Sequence, residues 1–447
     1  MDSAGTLTDA PLGRNTPRRE ADFWSNFAVR PPATSLFKTT QETTAEVWDS
    51  YAASGLTTCK RSDDVLATVN RAYARMTSNT VGSERNRQFL LVSSVGCPSR
   101  ADDPIQLSAN AFIRLTDVIG LTREYYPFYF TRLFHCSYHF EYRDALTDHP
   151  TELVVFLRCP RNSQSIICLM RVRLSDLSCV ALVYGSDHES VKRITALCTE
   201  EDGRRLRMHP FYLLSCIYEL RYESWTRWFS SLWSRVNDIE TATKMTGETW
   251  QSRDVPPDRL DALKNTETLL TYMHSAHTEF CHGENVVSFA IKLGKFCLDV
   301  VDVLETTRAS QGHVPTSQRE RAGLEATIKF TAARCDAVRD RLLEMKQRLQ
   351  GQINVSFSLI AQKDSKLAKQ DNETMKAIAA LGLLFLPATL VTAIWSAGLF
   401  HLDEGTNWKV YVGTAIALTV LVFFSWGLYM RRSRRAHTVS NRSASPV

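Results

Sequence analysis

Polar and apolar positions follow several rhythms along this chain, and each rhythm predicts an element. Between residues 31 and 205, short apolar runs are separated by polar turns. Thr151–Leu157, Ser165–Val172 and Cys179–Tyr184 are dominated by aliphatic residues and read as strands. Gln41–Ala53, Ser62–Met76 and Ser108–Ile119 read as helices, so residues 31–205 are expected to form an α/β domain. From Pro210 to about Met245 the pattern is helical. Pro256 and Pro257 break it, and a second helix is expected from Asp258 to about Thr307. Gly312 and Pro315 mark a turn that closes this antiparallel region, residues 206–316.

Residues 317–376 contain no proline and are rich in Ala, Arg, Lys, Glu, Gln and Leu. Leu324, Ile328, Thr331, Cys335, Val338, Leu342, Met345 and Leu349 recur at alternating spacings of four and three. That heptad stripe predicts a helix packed along another helix. Ile353, Phe357 and Ile360 continue an apolar side after a small phase shift, and no stop signal precedes the next apolar run. One helix of roughly 80 residues, Gln318 to about Phe400, would be ~120 Å long and serve as a stalk.

Ala377 to Leu402 and Val410 to Met430 contain no Asp, Glu, Lys or Arg. Each run is long enough to cross a hydrocarbon core about 30 Å thick, so spans are expected over 377–400 and 408–430. Trp395, Trp408, Trp426 and Tyr429 lie near their ends, where interfacial aromatics belong. The joining loop, 401–407, carries Asp403 and Glu404 and no Lys or Arg. Lys363, Lys366, Lys369 and Lys376 precede the first span, and Arg431, Arg432, Arg434 and Arg435 open the basic tail, 431–447. The positive-inside rule then places both termini on the cytoplasmic or matrix side of a two-pass protein. The sequons at Asn354, Asn372 and Asn441 fall on that side and are expected to carry no glycan.

Composition narrows the function. A net charge of +5 over 447 residues is too dilute to imply nucleic-acid binding. Residues 1–30 mix Pro, Gly, Arg, Asp and Glu without an apolar core, which predicts a disordered tail and no signal peptide. The eleven cysteines include no C-x-x-C pair, and many sit in apolar stretches (around Cys168 and Cys216, for example), so they read as reduced, buried small hydrophobes. His274, His277, Cys281 and His282 form one small cluster and His135, Cys136 and His139 another. Either could supply two or three zinc ligands, but scattered His and Cys on ordinary elements is the commoner arrangement, and no metal site is assigned. H-E-x-x-H, G-x-x-x-x-G-K-[ST] and G-x-S-x-G are absent, so no enzyme is expected and no cofactor beyond a handled ion.

The runs Phe385-Leu386-Pro387-Ala388-Thr389 and Ile394-Trp395-Ser396-Ala397-Gly398 resemble the end of the first span in CorA-type magnesium transporters. The stretch from Ser358 to Asp364, with Met375 to Ala379 further on, is similar to eukaryotic, fungal-type members. The resemblance covers about residues 350–430 and is architectural upstream. It implies a homopentamer in the lipid bilayer, its first spans around a central pore for Mg2+ or another divalent cation, its second spans facing lipid. The family's Gly-Met-Asn signature falls on Ser396, Ala397 and Gly398, and all three differ.

Asp371, Met375, Ile378, Gly382, Leu386, Thr389 and Ser396 lie at helical spacings along one side of the first span. By resemblance this side lines the pore. Met375 and Ile378 match a hydrophobic constriction that gates by dewetting, and Thr389 matches a pore-facing hydroxyl. Asp371 would set a carboxylate ring below the gate, and Asp403 with Glu404 would concentrate cations at the outer mouth. Arg431, Arg432, Arg434 and Arg435 are topology anchors on anionic lipid, or a basic ring that holds back cations. Two functions stay open: a passive, potential-driven divalent-cation channel, and a membrane-anchored scaffold or sensor that keeps the architecture without conducting.

Overall fold

The computed structural model describes residues 18–19, 37–52, 55–78, 87–95, 104–118, 136–144, 146–159, 166–185, 188–198, 200–243, 263, 265–397 and 407–443. They divide into two compact units, residues 1–352 and 353–447.

The first unit holds an eight-stranded sheet. Its strands are β1 (Arg18–Arg19), β2 (Glu42–Asp49), β3 (Leu56–Arg61), β4 (Phe89–Val95), β5 (Cys136–Arg143), β6 (Pro150–Arg158), β7 (Ile166–Arg173) and β8 (Cys179–Gly185). The order across the sheet is β1-β5-β6-β7-β8-β4-β2-β3. Only β4 with β8 is parallel; every other pair is antiparallel. The four-strand meander β5 to β8 follows from short turns between aliphatic runs, which antiparallel pairing permits.

On one face of the sheet Ala45, Val47, Leu90, Val92, Val154, Phe156, Leu169 and Leu182 pack with α1 (Ser62–Ser78) and α2 (Ala109–Val118). Val65, Val69, Ala72, Phe112 and Leu115 are the helix side of that core. The α/β expectation is met, with one correction: Gln41–Ala53 is strand β2 and not a helix. Thr43, Ala45 and Val47 alternate inward with period two, and pairing to β3 and β4 on both sides outweighs local helical propensity.

Two short helices follow, α3 (His188–Ala196) and α4 (Glu200–Met208), and then the long ones: α5 (Tyr212–Thr243), α6 (Thr266–Ser310) and α7 (Gln318–Ser396). Asn265 caps α6 by accepting a hydrogen bond from the Glu267 backbone N–H. All of the heptad stripe on α7 is buried except Val338, which is half-buried. Its partners are helices of the same chain. The Tyr218 hydroxyl of α5 donates to the Cys335 sulfur at 3.4 Å. Arg348 makes a two-pronged ion pair with the buried carboxylate of Glu240, at 2.9 and 2.5 Å. Lys346 meets Glu284 of α6 at 2.7 Å, and the Arg341 guanidinium lies 3.7 Å from the Trp233 ring centre. Gly294 and Gly283 of α6 make the close approach possible. A Cβ on Gly294 would come within 2.9 Å of the Tyr218 hydroxyl and 3.0 Å of the Ala332 Cβ, and one on Gly283 within 3.1 Å of the Phe229 ring.

The turn into α7 is fastened to the sheet. Arg308 donates to the carbonyls of Leu174 and Val314, Gln311 Nε2 donates to the Pro150 carbonyl, and the buried carboxylate of Glu305 accepts from the Thr316 N–H and hydroxyl. Among the described cysteines, Cys59, Cys159, Cys168, Cys179, Cys297 and Cys335 are buried free thiols, while Cys198, Cys216 and Cys281 are half-buried. Burial pushes the thiols of Cys168, Cys179 and Cys297 well up, so they stay protonated.

The second unit carries the end of α7 and α8 (Asn407–Ser443). Two helices are long and apolar enough to cross a membrane, one within Gln318–Ile394 and one at Trp408–Leu428. Only 11% and 0% of their apolar windows are buried, the reverse of a core helix. The chain therefore has an α/β domain, long helices and a two-pass apolar hairpin. α8 does not stop at Met430; its backbone stays helical through the arginine-rich segment to Ser443.

Candidate functional site

The candidate site is one face of the first apolar helix. Within α7, Pro387 and Val391 are buried and Ala380, Leu383 and Ala388 are half-buried, at spacings of three and four. This is the side turned to α8, whose half-buried positions include Tyr411, Ala415, Leu418, Val422 and Trp426 at similar spacings. Pro387 sits inside the helix without ending it. Its missing N–H falls on this packed side, where a neighbouring helix covers the backbone.

At about 100° per residue, Asp371, Met375, Ile378, Gly382, Leu386, Thr389 and Ser396 centre roughly opposite that packed side. Each of them is exposed in the single chain. Met375 is 69% exposed, Ile378 64% and Leu386 67%, and no atom would touch a Cβ placed on Gly382. The hairpin leaves this whole stripe without cover among the described residues. Flanking apolar residues such as Leu381, Phe385 and Leu390 are exposed as well.

The hydroxyls carry the polar chemistry. Thr389 Oγ1 donates to its own helix, to the carbonyl of Phe385 at 3.1 Å or of Leu386 at 2.9 Å. With its proton spent there, the oxygen still has lone pairs, and it can accept a hydrogen bond from water, including water held by a cation. Thr392 gives its proton to the Ala388 carbonyl at 2.8 Å and lies 2.8 Å from the Tyr411 hydroxyl of α8. Tyr411 is then the donor in that pair, because Thr392 has one hydroxyl proton. The pair joins the two apolar helices.

Sequence reading did not single out Thr392 or Tyr411. A threonine in one span and a tyrosine at the start of the next are common, and only the hairpin geometry shows that they meet. Ser396 is the last residue of α7, and the Ala397 N–H still bonds to the Ala393 carbonyl at 3.0 Å. Gly398, Asp403 and Glu404 lie outside the described residues. Arg431, Arg432, Arg434 and Arg435 lie on the helical backbone of α8. Of the histidine–cysteine clusters, His277 Nδ1 and Cys281 Sγ are 3.9 Å apart, and His135 lies outside the described residues. No group of three or more His, Cys, Asp or Glu that could hold a metal occurs among the described residues.

No family model and no curated protein matches the chain. Among solved structures, the soluble domain of CorA from Methanocaldococcus jannaschii is similar at 11% identity with a TM-score of 0.36, over 72% of this chain and 99% of that one. At that identity and score the likeness carries no function across. What bears on function is the chain's own apolar hairpin and the exposed stripe opposite its packed side.

Proposed function

We propose that this chain is a subunit of a CorA-like homo-oligomer, a pentamer, that passes divalent cations passively through a pore lined by its first apolar helices. The observation that carries the reading is the stripe from Met375 to Ser396. It is exposed in the isolated chain and opposite the side packed on α8, and it bears an acceptor hydroxyl at Thr389. An apolar ring at Met375 and Ile378 would close by dewetting, and the Thr389 oxygens would receive the waters of a hydrated cation. Hydrated Mg2+ fits this chemistry, since it sheds its waters reluctantly. Asp371, Asp403 and Glu404 would raise the local cation concentration at the two mouths, and both termini would face the cytoplasm or matrix.

A second reading is a membrane-anchored scaffold or sensor with the same architecture and no flux. It is favoured by the departure from Gly-Met-Asn at Ser396, Ala397 and Gly398, which removes the side-chain amide at the outer mouth. Flux of Mg2+ or Co2+ into liposomes containing the purified full chain tests the first reading, with particle mass measured in the same detergent. A pentamer whose flux falls with Thr389→Ala supports the channel. A pentamer with no flux under any gradient or potential supports the scaffold, and a monomer or dimer sinks the pore.

A further inference from the structure

Past the apolar window Trp408–Leu428, the α8 backbone runs on without a break to Ser443. Residues 429–443 add about 22 Å of helix at 1.5 Å per residue. From Arg431 to Val447 the chain carries five arginines and no Asp or Glu. A basic segment directly after a span is a contact for anionic lipid headgroups. Taken alone, it is an anchor of fixed strength.

The helical backbone adds a control point. At about 100° per residue, positions 431, 434, 435 and 442 fall within one arc of about 100°, with the fifth arginine, Arg432, outside it. Thr438 falls inside the same arc. It stands four residues after Arg434, three after Arg435 and four before Arg442. Positions so spaced are neighbours on a helix surface. The other hydroxyl positions of this stretch, Ser433, Ser440 and Ser443, fall on the far side.

The same spacing gives Thr438 an arginine three residues before it, the pattern that arginine-directed Ser/Thr kinases select. Ser433, Ser440 and Ser443 lack it. Ser445 has Arg442 three residues before it, but lies outside the described residues. Within the basic stretch of α8, one position therefore combines the kinase pattern with a place in the arginine arc.

We infer that Thr438 is a phosphorylation site set within an arginine face that contacts anionic lipid, and that its phosphate releases this face from the bilayer. In the transfer, the Thr438 hydroxyl oxygen attacks the γ-phosphorus of ATP, the bond to ADP breaks, and the hydroxyl proton passes to the kinase's base. The product adds a charge of about −1.5 to −2 beside three arginines, which then pair with it in place of headgroups. The inference rests on the inner placement of both termini, the side on which kinases and anionic lipid meet the chain, and is independent of ion conduction.

The test places the full chain, with a fluorophore at its C-terminus, in nanodiscs that carry a headgroup quencher. One set is pure phosphatidylcholine and the other is rich in phosphatidylserine. Nanodiscs open both membrane faces, so a wrong orientation does not enter the result. Quenching should be stronger with phosphatidylserine. A purified kinase of R-x-x-[ST] specificity with ATP and Mg2+ should add one phosphate, located on Thr438 by mass spectrometry. The bound-to-free ratio of the tail should then fall by about tenfold or more. Thr438→Ala should keep the tail bound in the presence of kinase, and Ser440→Ala should behave as the unaltered protein. Equal quenching in the two lipids would overturn the lipid contact. Phosphate on Ser433, Ser440, Ser443 or Ser445 in place of Thr438, or none at all, would overturn the site, and phosphate on Thr438 with unchanged quenching would overturn the release.

Discussion

Leu342 and Leu343 are neighbours on α7 with opposite surroundings. Leu342 is fully buried against the bundle, its Cδ1 3.3 Å from the place where a Cβ on Gly283 would sit, while Leu343 is 41% exposed. Truncating Leu342 to alanine removes buried methyl and methylene groups and leaves a cavity that the helices α5 and α6, held by Arg348–Glu240 and Lys346–Glu284, cannot readily close. The expected cost is about 2–5 kcal/mol. Leu343→Ala should stay within about 0.5 kcal/mol. Urea unfolding of the full chain in detergent, followed by the fluorescence of Trp225, Trp228 and Trp233 on α5, reads both. With m of about 3 kcal/mol per molar, Leu342→Ala lowers the midpoint by roughly 1 M and Leu343→Ala leaves it in place. Equal losses for the two variants would refute the assignment of the heptad stripe to contacts within the chain. A Leu343 effect that grows with protein concentration would instead report a contact between copies.

Gly294→Ala should destabilise the protein by about 1–3 kcal/mol, because the new methyl meets the Tyr218 hydroxyl and Ala332 inside a packed bundle; chemical denaturation checks it. Glu240→Gln should cost about 1–3 kcal/mol in the same assay, since the Arg348 guanidinium then loses its charged partner at a site that is only partly open to water. His209 is buried, and burial, with Arg321, Arg87 and Arg308 nearby, pushes its pKa down to about 4 from an ordinary 6.5. The unfolded chain therefore binds the proton first: stability from this group is complete above pH 6.5 and is lost as pH falls toward 4, and His209→Gln should flatten that part of the stability–pH curve. Tyr411→Phe removes the donor to Thr392 and should weaken hairpin packing by about 0.6–1.7 kcal/mol. Thiol labelling of single cysteines placed along 375–396 would show this as a broadened pattern of accessible positions, and an unchanged pattern would mean the hydrogen bond does not set the rotation.

Where one period dominated a long stretch, the chain announced its structure. The heptad positions from Leu324 to Leu349 and the two charge-free runs are such stretches, and helices α7 and α8 follow from them. Strands β6, β7 and β8 were legible because aliphatic runs between polar turns admit little else. Strand β2 was not, since Glu42, Ala45, Glu46 and Trp48 suit a helix locally and only pairing with β3 and β4 decides otherwise. The candidate stripe could be drawn from spacing alone, but spacing does not say which side of a span faces its hairpin partner. The burial of Pro387 and Val391 does. The fastening of the α6–α7 turn to the sheet was invisible in sequence, because Pro150, Leu174 and Arg308 come from three separated segments that meet only when the meander closes on the end of α6.

The buried thiols have a practical corollary. Most of the described cysteines are sealed inside the first unit and held in the unreactive protonated form, so a maleimide or methanethiosulfonate reagent would find a quiet background there. Replacing the half-buried Cys198, Cys216 and Cys281 by serine would quieten it further while sparing the six buried thiols among the described residues. Single reporter cysteines at 375, 378 or 389 could then be introduced into a protein that keeps its buried thiols, without wholesale cysteine removal.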